Sequence, residues 1–389
     1  MSWKTAQLCD VALLDRKSIH PREADAETPY LGLEHLNADG SIDHSQTVST
    51  QELKSNKFLF TDRHVLFGKL RPYLRKIVRP SFSGVCSTDI IPILPKEILS
   101  RDYLFHFLRS PSMVGLATER SSGANLPRLS PSQLATFTIP LPPLPEQKRI
   151  AAILDAADAL RAKRRESLAQ LDTLLQSTFI EMFGDPVTNS MGWEVKRLSD
   201  IVERLDGGKN VAQSEEPTKY RVLKVSAVTS GVYRPDESKY LPADFKVPES
   251  YVVKSGDLLI SRANTVDLIG ATAYVWSTPE NIALPDKIWK FIWKRGAEIE
   301  PLFIYYLSQN SDFRRLLGSR ASGTSGSMKN IAKPKLLGLP IPLPPHSLQQ
   351  RFAAIVGSVE QQKERARAHL AELDALFASL QSRAFVGEL

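Results

Sequence analysis

The feature that most constrains this chain of 389 residues is an internal repeat. Residues 139–143 read Ile-Pro-Leu-Pro-Pro, and the same five residues recur at 341–345, which is 202 positions later. The same spacing relates Gln147 to Gln349 and Phe183 to Phe385. The first residues of the two halves also match, 190 positions apart; the matching residues are Trp3, Leu8, Asp10 and Tyr30 with Trp193, Leu198, Asp200 and Tyr220. A unit present twice predicts internal pseudo-symmetry.

The repeat divides the chain into two variable segments, each followed by a preserved tail. We predict a mixed α/β (α+β) domain at residues 1–138 and another at 186–338, with long helices at 139–185 and 339–389. Both variable segments combine short β-rich runs with one helical stretch. The β-rich runs are 65–67, 76–78, 251–253, 257–260 and 273–276, and the helical stretches are 101–109 and 301–317.

The two tails have the pattern of long amphipathic helices. Proline cannot sit inside a helix, so each helix is expected to begin after the Pro-rich segment. Apolar residues then recur about every 3.5 positions, over roughly 36 residues or ~54 Å of helix. A single apolar stripe must be buried against something. Their matched length and stripe predict that the two helices pair as an antiparallel coiled coil, with the two domains at opposite ends. The alternative is two tails that bind separate external partners.

The positive charge lies in the variable segments. The chain has a net charge of +7, of which residues 1–145 carry +3 and residues 186–345 carry +5, while the two tails are close to neutral. Basic side chains concentrate at 54–79 and at 314–335. One such cluster is usually a solvated face, but one cluster in each repeat favours a nucleic-acid partner.

Two loops rich in small polar residues accompany the basic clusters, at 120–125 and 321–327. Small side chains allow the backbone to approach phosphates, whereas Arg and Asn can read guanine and adenine. The residues that we predict to contact DNA are Lys69, Arg71, Tyr73, Arg75, Lys76, Arg120, Asn125, Arg262, Asn264, Arg320, Ser322 and Lys329.

Familiar enzyme motifs are missing from the sequence. It contains no phosphate-binding G-x-x-x-x-G-K-[ST] loop, no G-x-G-x-x-G, no Asn-Pro-Pro-Tyr or Asp-Pro-Pro-Tyr segment, no H-E-x-x-H and no zinc-like spacing of Cys and His. We therefore predict no catalytic residue, cofactor site or metal site, and we expect His106 to be packed. Two cysteines, together with the lack of a signal peptide or a membrane-spanning stretch, favour a cytoplasmic protein without a membrane partner.

Four segments carry a resemblance to a known family. They are 139–151, which reads Ile-Pro-Leu-Pro-Pro-Leu-Pro-Glu-Gln-Lys-Arg-Ile-Ala, together with 66–74, 86–89 and 256–262. The chain resembles, over nearly its whole length, the specificity subunits of type I restriction-modification systems. The second copy departs from the family pattern, because His346-Ser347-Leu348-Gln349 stands where the first copy has Leu-Pro-Glu-Gln.

The resemblance implies a division of labour. Each variable segment would be a target-recognition domain that reads one half of a bipartite, asymmetric sequence in double-stranded DNA. The helices would fix the gap between the halves and dock two modification subunits, which bring S-adenosylmethionine and methylate adenine. Motor-nuclease restriction subunits would add ATP- and Mg²⁺-dependent cleavage, and this chain would catalyse nothing. Two alternatives stay open: a nuclease with an unrecognised site, and a helical scaffold that binds only protein.

Overall fold

The computed structural model describes residues 3–43, 53–265, 268–322 and 329–389. These residues form two compact units: unit 1 comprises Met1–Glu166 and Arg367–Leu389, and unit 2 comprises Ser167–Ala366. Each unit therefore contains one variable segment with parts of both tails. The boundaries predicted from the repeat separate variable segments from tails, whereas these units combine them, so those boundaries stay a prediction.

The elements of unit 1 alternate short strands with short helices until one long helix begins. They are β1 (Thr5–Gln7), α1 (Leu8–Val11), β2 (Ala12–Leu14), β3 (Ser18–Ile19), β4 (Tyr30–Leu31), β5 (Lys57–Phe60), β6 (Val65–Gly68), β7 (Ile77–Val78), β8 (Gly84–Cys86), β9 (Ile90–Pro95), α2 (Arg101–Leu108), α3 (Pro111–Glu119), α4 (Pro131–Ala135), β10 (Thr138–Pro140) and α5 (Leu144–Phe183), which continues into unit 2.

Unit 2 begins and ends with the same order of elements, while its middle part differs. Its elements are β11 (Glu194–Arg197), α6 (Leu198–Ile201), β12 (Val202–Gly207), β13 (Arg221–Leu223), α7 (Ser226–Thr229), β14 (Ser238–Tyr240), β15 (Leu258–Ser261), β16 (Ala263–Asn264), β17 (Thr272–Tyr274), β18 (Ile282–Ala283), β19 (Ile288–Trp293), α8 (Pro301–Gln309), α9 (Ser311–Ser319), β20 (Lys329–Asn330), α10 (Lys333–Leu337), β21 (Pro340–Leu343) and α11 (His346–Ala384), which continues into unit 1.

One four-stranded antiparallel sheet is the common framework of both units. Its order is β2-β9-β6-β7 in unit 1 and β12-β19-β15-β17 in unit 2. The central strands are buried on both faces, as in Val65–Gly68 and Leu258–Ser261, because helices cover one face and further strands the other. The mixed α/β domains predicted in two copies are thus confirmed.

The repeated Pro-rich segment forms an edge of each unit. β10 pairs with β1 (Ala6 opposite Ile139), and β21 pairs with β11 (Lys196 opposite Ile341). Proline is accepted in such two-stranded edges because it has no N–H to give to a further strand. Ile139 and Ile341 are fully buried, which explains why an isoleucine opens both copies of the repeat.

A buried glutamine at the start of each long helix holds this edge to the rest of its unit. The side-chain oxygen of Gln147 accepts from the Ser100 N–H (2.8 Å), while its amide donates to the carbonyls of Ile98 and Pro142 (3.0 and 2.9 Å). Gln349 repeats the pattern with the Glu300 N–H (2.9 Å) and the Pro344 carbonyl (2.8 Å). The repeated glutamine is therefore a structural residue.

Two local predictions were wrong. Residues 251–253 are not a strand: a 3-10 turn spans Glu249–Tyr251, and Val252 makes only an isolated bridge with Ala283. The helix expected over 301–317 is two helices, because Asn310 leaves the helical conformation and its side chain accepts from the N–H groups of Asp312 and Phe313 to cap α9. Periodicity alone did not reveal this cap.

Each unit contains contacts between the two long helices. In unit 1, Arg161 of α5 donates to Asp374 of α11 (2.5 Å), and Arg165 does so at 3.1 Å. In unit 2, Lys363 of α11 lies 2.7 Å from Asp172 of α5. The early part of α5 thus contacts the late part of α11 in unit 1, and the reverse holds in unit 2.

Within the described residues, no helix is both long and apolar enough to cross a membrane.

Candidate nucleic-acid interface

In unit 1 a polar loop projects from the sheet just after α3. It is closed at its base by Ser122 and Arg128, whose backbones exchange hydrogen bonds of 3.1 and 2.9 Å. Residues 122–126 are exposed, and Gly123 has a φ of 113°, which is open to glycine but strained for other residues. We call residues 122–128 loop 1.

Backbone hydrogen bonds join loop 1 to the segment that follows β6. The Leu129 N–H donates to the Lys69 carbonyl (2.9 Å), and the Arg71 N–H donates to the Pro127 carbonyl (2.7 Å). The Arg71 side chain also reaches the Asn125 carbonyl at 3.4 Å. Two basic stretches that are distant in sequence therefore form one surface.

Unit 2 repeats this construction. Ser322 and Asn330 exchange backbone hydrogen bonds of 2.9 and 3.0 Å, and the Ile331 N–H donates to the Arg262 carbonyl at 2.9 Å. β16 and β20 pair Asn264 with Lys329. Four predicted residues, Arg262, Asn264, Ser322 and Lys329, therefore lie at the base of the second loop. The predicted glycine- and serine-rich tip at 323–327 falls outside the described residues. We call residues 322–330 loop 2.

A carboxylate stands beside the cations at the base of each loop. Asp89 lies 3.6 Å from the Lys69 ammonium and accepts from the Arg128 guanidinium at 3.2 and 3.4 Å. In unit 2, Arg262 donates to the Asp286 backbone carbonyl (2.7 Å) and lies 3.5 Å from its carboxylate. Such pairs hold the cations in a fixed position at a partly exposed surface, where phosphate oxygens can compete for them.

Arg128 is the residue that sequence reasoning missed. It closes loop 1, its side chain is 44% exposed, and it shares Asp89 with Lys69. Its position at the end of the polar loop was the available signal. The repeat places Asn330 at the same position of the second loop. Both residue types can read base edges.

The other predicted residues differ in accessibility. Tyr73, Asn125 and Arg320 are exposed. Arg120 is exposed too, although it donates to the Thr136 hydroxyl at 3.1 Å and lies over the Phe137 ring. Ser322, at the base of loop 2, is likewise exposed.

Two predicted residues turn inward. The Lys76 ammonium donates to the Leu33 carbonyl at 2.6 Å. Arg75 is partly buried, and burial, with Arg161 nearby, lowers the pKa of its guanidinium although Asp158 opposes the shift. Not every cation of the 54–79 cluster therefore faces solvent, and a DNA contact by Arg75 or Lys76 stays a prediction.

The described residues contain no group of three or more His, Cys, Asp or Glu side chains able to hold a metal ion. His106 is fully buried beside Asp155, at 2.7 Å, so the prediction that it is packed is confirmed.

Comparison with known proteins gives a consistent family. The family model described as type I restriction modification DNA specificity domain matches residues 2–171 and again 191–374. The type I restriction enzyme EcoDI specificity subunit of Escherichia coli is 27% identical over 192 residues, which are 48% of this chain and 43% of that protein. The chain thus spans less than half of that relative's length.

Two further comparisons extend over most of the chain. The MjaVIII specificity subunit of Methanocaldococcus jannaschii is 26% identical over 359 residues, covering 87% of this chain and 80% of the relative. A chain from a structural study of complex assembly and conformational transition in the type I R-M system shares the fold, with a TM-score of 0.57, 21% identity and coverage of 100% and 98%. Because the family model matches both halves and most of the sequence, the chain belongs to the type I restriction-modification DNA specificity family.

Proposed function

We propose that this chain reads a split, asymmetric DNA sequence, with each unit reading one half-site. The observation that carries the proposal is that loop 1 and loop 2 are joined in the same way to the strand segment after β6 and β15. A rigid sheet that presents a polar, cation-flanked loop can place side chains against base edges and phosphates together. The two loops differ in sequence, as reading of two different half-sites requires.

The long helices set the unspecified gap between the half-sites by pairing as an antiparallel coiled coil. Ion pairs between α5 and α11 support this proposal. Arg161 and Arg165 pair with Asp374, and Asp172, which is later in α5, pairs with Lys363, which is earlier in α11. The partners thus run in opposite directions along the two helices. Charged residues beside an apolar seam are what fixes register and orientation in coiled coils.

The chemistry belongs to partner subunits. Two modification subunits bring S-adenosylmethionine and methylate adenine in each half-site, and restriction subunits supply ATP- and Mg²⁺-dependent cleavage. This chain provides specificity without catalysis. Its membership in the specificity family supports that division.

Mapping methylated adenines across the host genome, with and without this gene, tests the proposal. We expect one bipartite motif to disappear with the gene. Replacing residues 1–138 by another recognition domain should change one half-site and leave the other half and the gap intact, whereas insertions near Lys163 or Arg365 should change only the gap. A swap that scrambles both halves would contradict the model.

The purified chain with DNA, Mg²⁺ and S-adenosylmethionine is the control for catalysis. Cleavage or methylation by the chain alone would favour an enzyme with an unrecognised site. Absence of salt-dependent DNA affinity, alone and with modification subunits, would favour a protein-binding scaffold.

A further inference from the structure

A short turn at residues 71–75, here called the Tyr73 turn, has an unusual backbone. Arg71 and Arg75 have φ angles of 50° and 52°, in the left-handed region that residues with a Cβ enter only at an energetic cost. A 3-10 turn, Pro72–Leu74, lies between them. Among the described residues, Asn189 alone of the other non-glycines has a positive φ, and asparagine tolerates it. The surrounding contacts must hold this turn in shape.

Both flanks of the Tyr73 turn are anchored. On one side the Arg71 N–H donates to the Pro127 carbonyl of loop 1 at 2.7 Å. On the other side the Ile77 N–H, at the start of β7, donates to the Arg75 carbonyl at 2.8 Å. Backbone hydrogen bonds therefore hold the turn between loop 1 and β7.

The turn presents apolar side chains to solvent. Tyr73 is 50% exposed and Leu74 40% exposed, although their neighbour Pro72 is buried. Arg71, at the start of the turn, and Arg128, at the base of loop 1, are both exposed. A strained backbone that holds an aromatic ring and an aliphatic tip outward, inside a cationic rim, is poorly explained by packing within the unit.

The chemistry of this tip matches a nucleic-acid base. Arginines at its rim attract phosphates, and the face of a tyrosine ring stacks on any base. Apolar side chains that enter a duplex partly unstack a base step and kink it. We propose that Tyr73 and Leu74 form a wedge that enters the DNA beside the first half-site, stacks the tyrosine ring on a base and unstacks that step. This inference rests on the proposed function and adds a distortion of DNA to its reading.

The distortion has a use in the proposed reaction. A base must leave the stack before a partner subunit can methylate it, and an already unstacked step costs less to open. The wedge would thus lower the cost of exposing the adenine of the first half-site. In unit 2 Ala263 pairs with Asn330 as Leu70 bridges Arg128 in unit 1, and the positions that correspond to Tyr73 and Leu74 fall outside the described residues.

The test uses the full chain with its modification subunits and duplexes that carry 2-aminopurine at successive positions of the first half-site and its flanks. Wild type should raise the fluorescence several-fold at one step beside the methylated adenine, while the rise at that adenine itself, which a partner subunit flips, is expected in every variant and is not scored. The double variant Tyr73→Ala, Leu74→Ala should lose that rise and bind about 10-fold more weakly. Tyr73→Phe should keep both properties, because the ring is retained. Leu13→Ala is the matched control, since Leu13 is a 51% exposed leucine on β2 of the same unit.

The outcomes separate the alternatives. Absence of an unstacked step in wild type, or a rise that persists in the double alanine variant, would overturn the wedge. A double variant that fails to assemble with the modification subunits but still unstacks the site would assign Tyr73 to a protein contact, and would overturn it too. If wild type binds no specific sequence, the proposed function itself fails, and this is seen before any variant is made. If Tyr73→Phe keeps the fluorescence rise and the affinity, a substitution at position 73 does not by itself unfold the chain.

Discussion

In unit 1 a buried polar network joins the variable segment to α5, beside ring contacts of Phe385 with Tyr103 and Phe107, whereas in unit 2 aromatic rings fill the corresponding place. The fully buried His106 of α2 lies 2.7 Å from Asp155 of α5. Arg79 binds the same carboxylate at 2.5 and 3.0 Å and also reaches Asp102 at 2.6 Å. Burial by itself raises the pKa of Asp155, but the hydrogen bonds from His106 and Arg79 outweigh it and lower the pKa to about 2.

In unit 2 a cluster of rings fills the corresponding place. Phe352 of α11 lies 5.5 Å from Phe179 and 5.3 Å from Phe183, between ring centroids, and 5.1 Å from Tyr306. Phe183 also meets Phe303 edge-on at 5.0 Å. Edge-to-face contacts of this kind add stability beyond the area that they bury.

The repeat spacing of 202 pairs Phe352 with Ile150, Gly357 with Asp155 and Phe179 with Gln381. Tyr306 corresponds to His106 because Glu300 and Ser100, six residues before them, donate to the matching glutamines. The backbone framework, the buried glutamines Gln147 and Gln349 and the rings of Phe183 and Phe385 are kept, while the other side chains of the contact differ. A common fold therefore accepts either chemistry, provided that each buried polar group finds a partner.

Phe352→Ala should have the largest effect on this comparison. Removing a fully buried ring should destabilise unit 2 by about 3–5 kcal/mol, while Ile150→Ala in unit 1 should cost about 2–4 kcal/mol. Hydrogen exchange read separately for peptides of each unit measures both losses. Equal loss of protection in the two units from Phe352→Ala alone would contradict local aromatic packing.

Asp155→Ala should destabilise unit 1 by about 2–3 kcal/mol, because it leaves the His106 ring and part of Arg79 unpaired. The partial exposure of Asp155 keeps the loss below that of a fully buried pair. The same hydrogen-exchange experiment measures it. Gly357→Asp at the counterpart position in unit 2 is the control, where a side chain has open space and little change is expected.

Acidification should destabilise unit 1 more than unit 2. The pKa of Asp155 is depressed in the folded state, so its stabilisation is present above the unfolded pKa near 4 and is lost as pH falls toward 2. After allowance for partial exposure, unit 1 should lose about 1–2 kcal/mol. In unit 2 burial raises the pKa of Glu300, so protonation of this group favours folding as the pH falls. Unfolding at pH 5 and pH 3, followed unit by unit, measures the difference, and a larger loss in unit 2 would refute it.

Gly357→Ala should give the smallest change, a stabilisation of unit 2 by about 0.5–1 kcal/mol. Glycine is a poor helix former, and a methyl group at this place meets nothing within 4 Å. A small rise in the thermal unfolding midpoint of unit 2 would show that Gly357, the counterpart of Asp155, makes no side-chain contact that unit 2 needs. A destabilising effect would mean that the helix backbone needs glycine there.

Much of the fold was accessible from the sequence because the repeat is local and regular. The proline-rich segments and the apolar stripes placed both long helices, which begin at Leu144 and His346. The break of the second-unit helix at Asn310 was missed, because the apolar pattern runs through it, although an asparagine that can cap a following helix is a local signal. The same limit applies to residues 251–253, where a 3-10 turn replaced a β-rich run.

The candidate site was accessible only in part. Composition selected the basic segment around Lys69 and the polar loop after Arg120, but it could not tell that Lys76 turns inward to the Leu33 carbonyl or that Arg128 closes loop 1. The sequence does not show which way a basic side chain points. Its orientation depends on the strand register and on which backbone carbonyls nearby have no other donor.

The sequence by itself determined that this chain is one unit used twice, with its charge in the variable halves and its helices in the preserved tails. These properties depend on order and periodicity along the chain. The tertiary structure alone decided that loop 1 joins the Tyr73 turn and that the paired positions exchange His106 and Asp155 for an aromatic cluster. Such contacts join residues far apart in sequence, and their energies depend on burial and distance, which no local pattern contains.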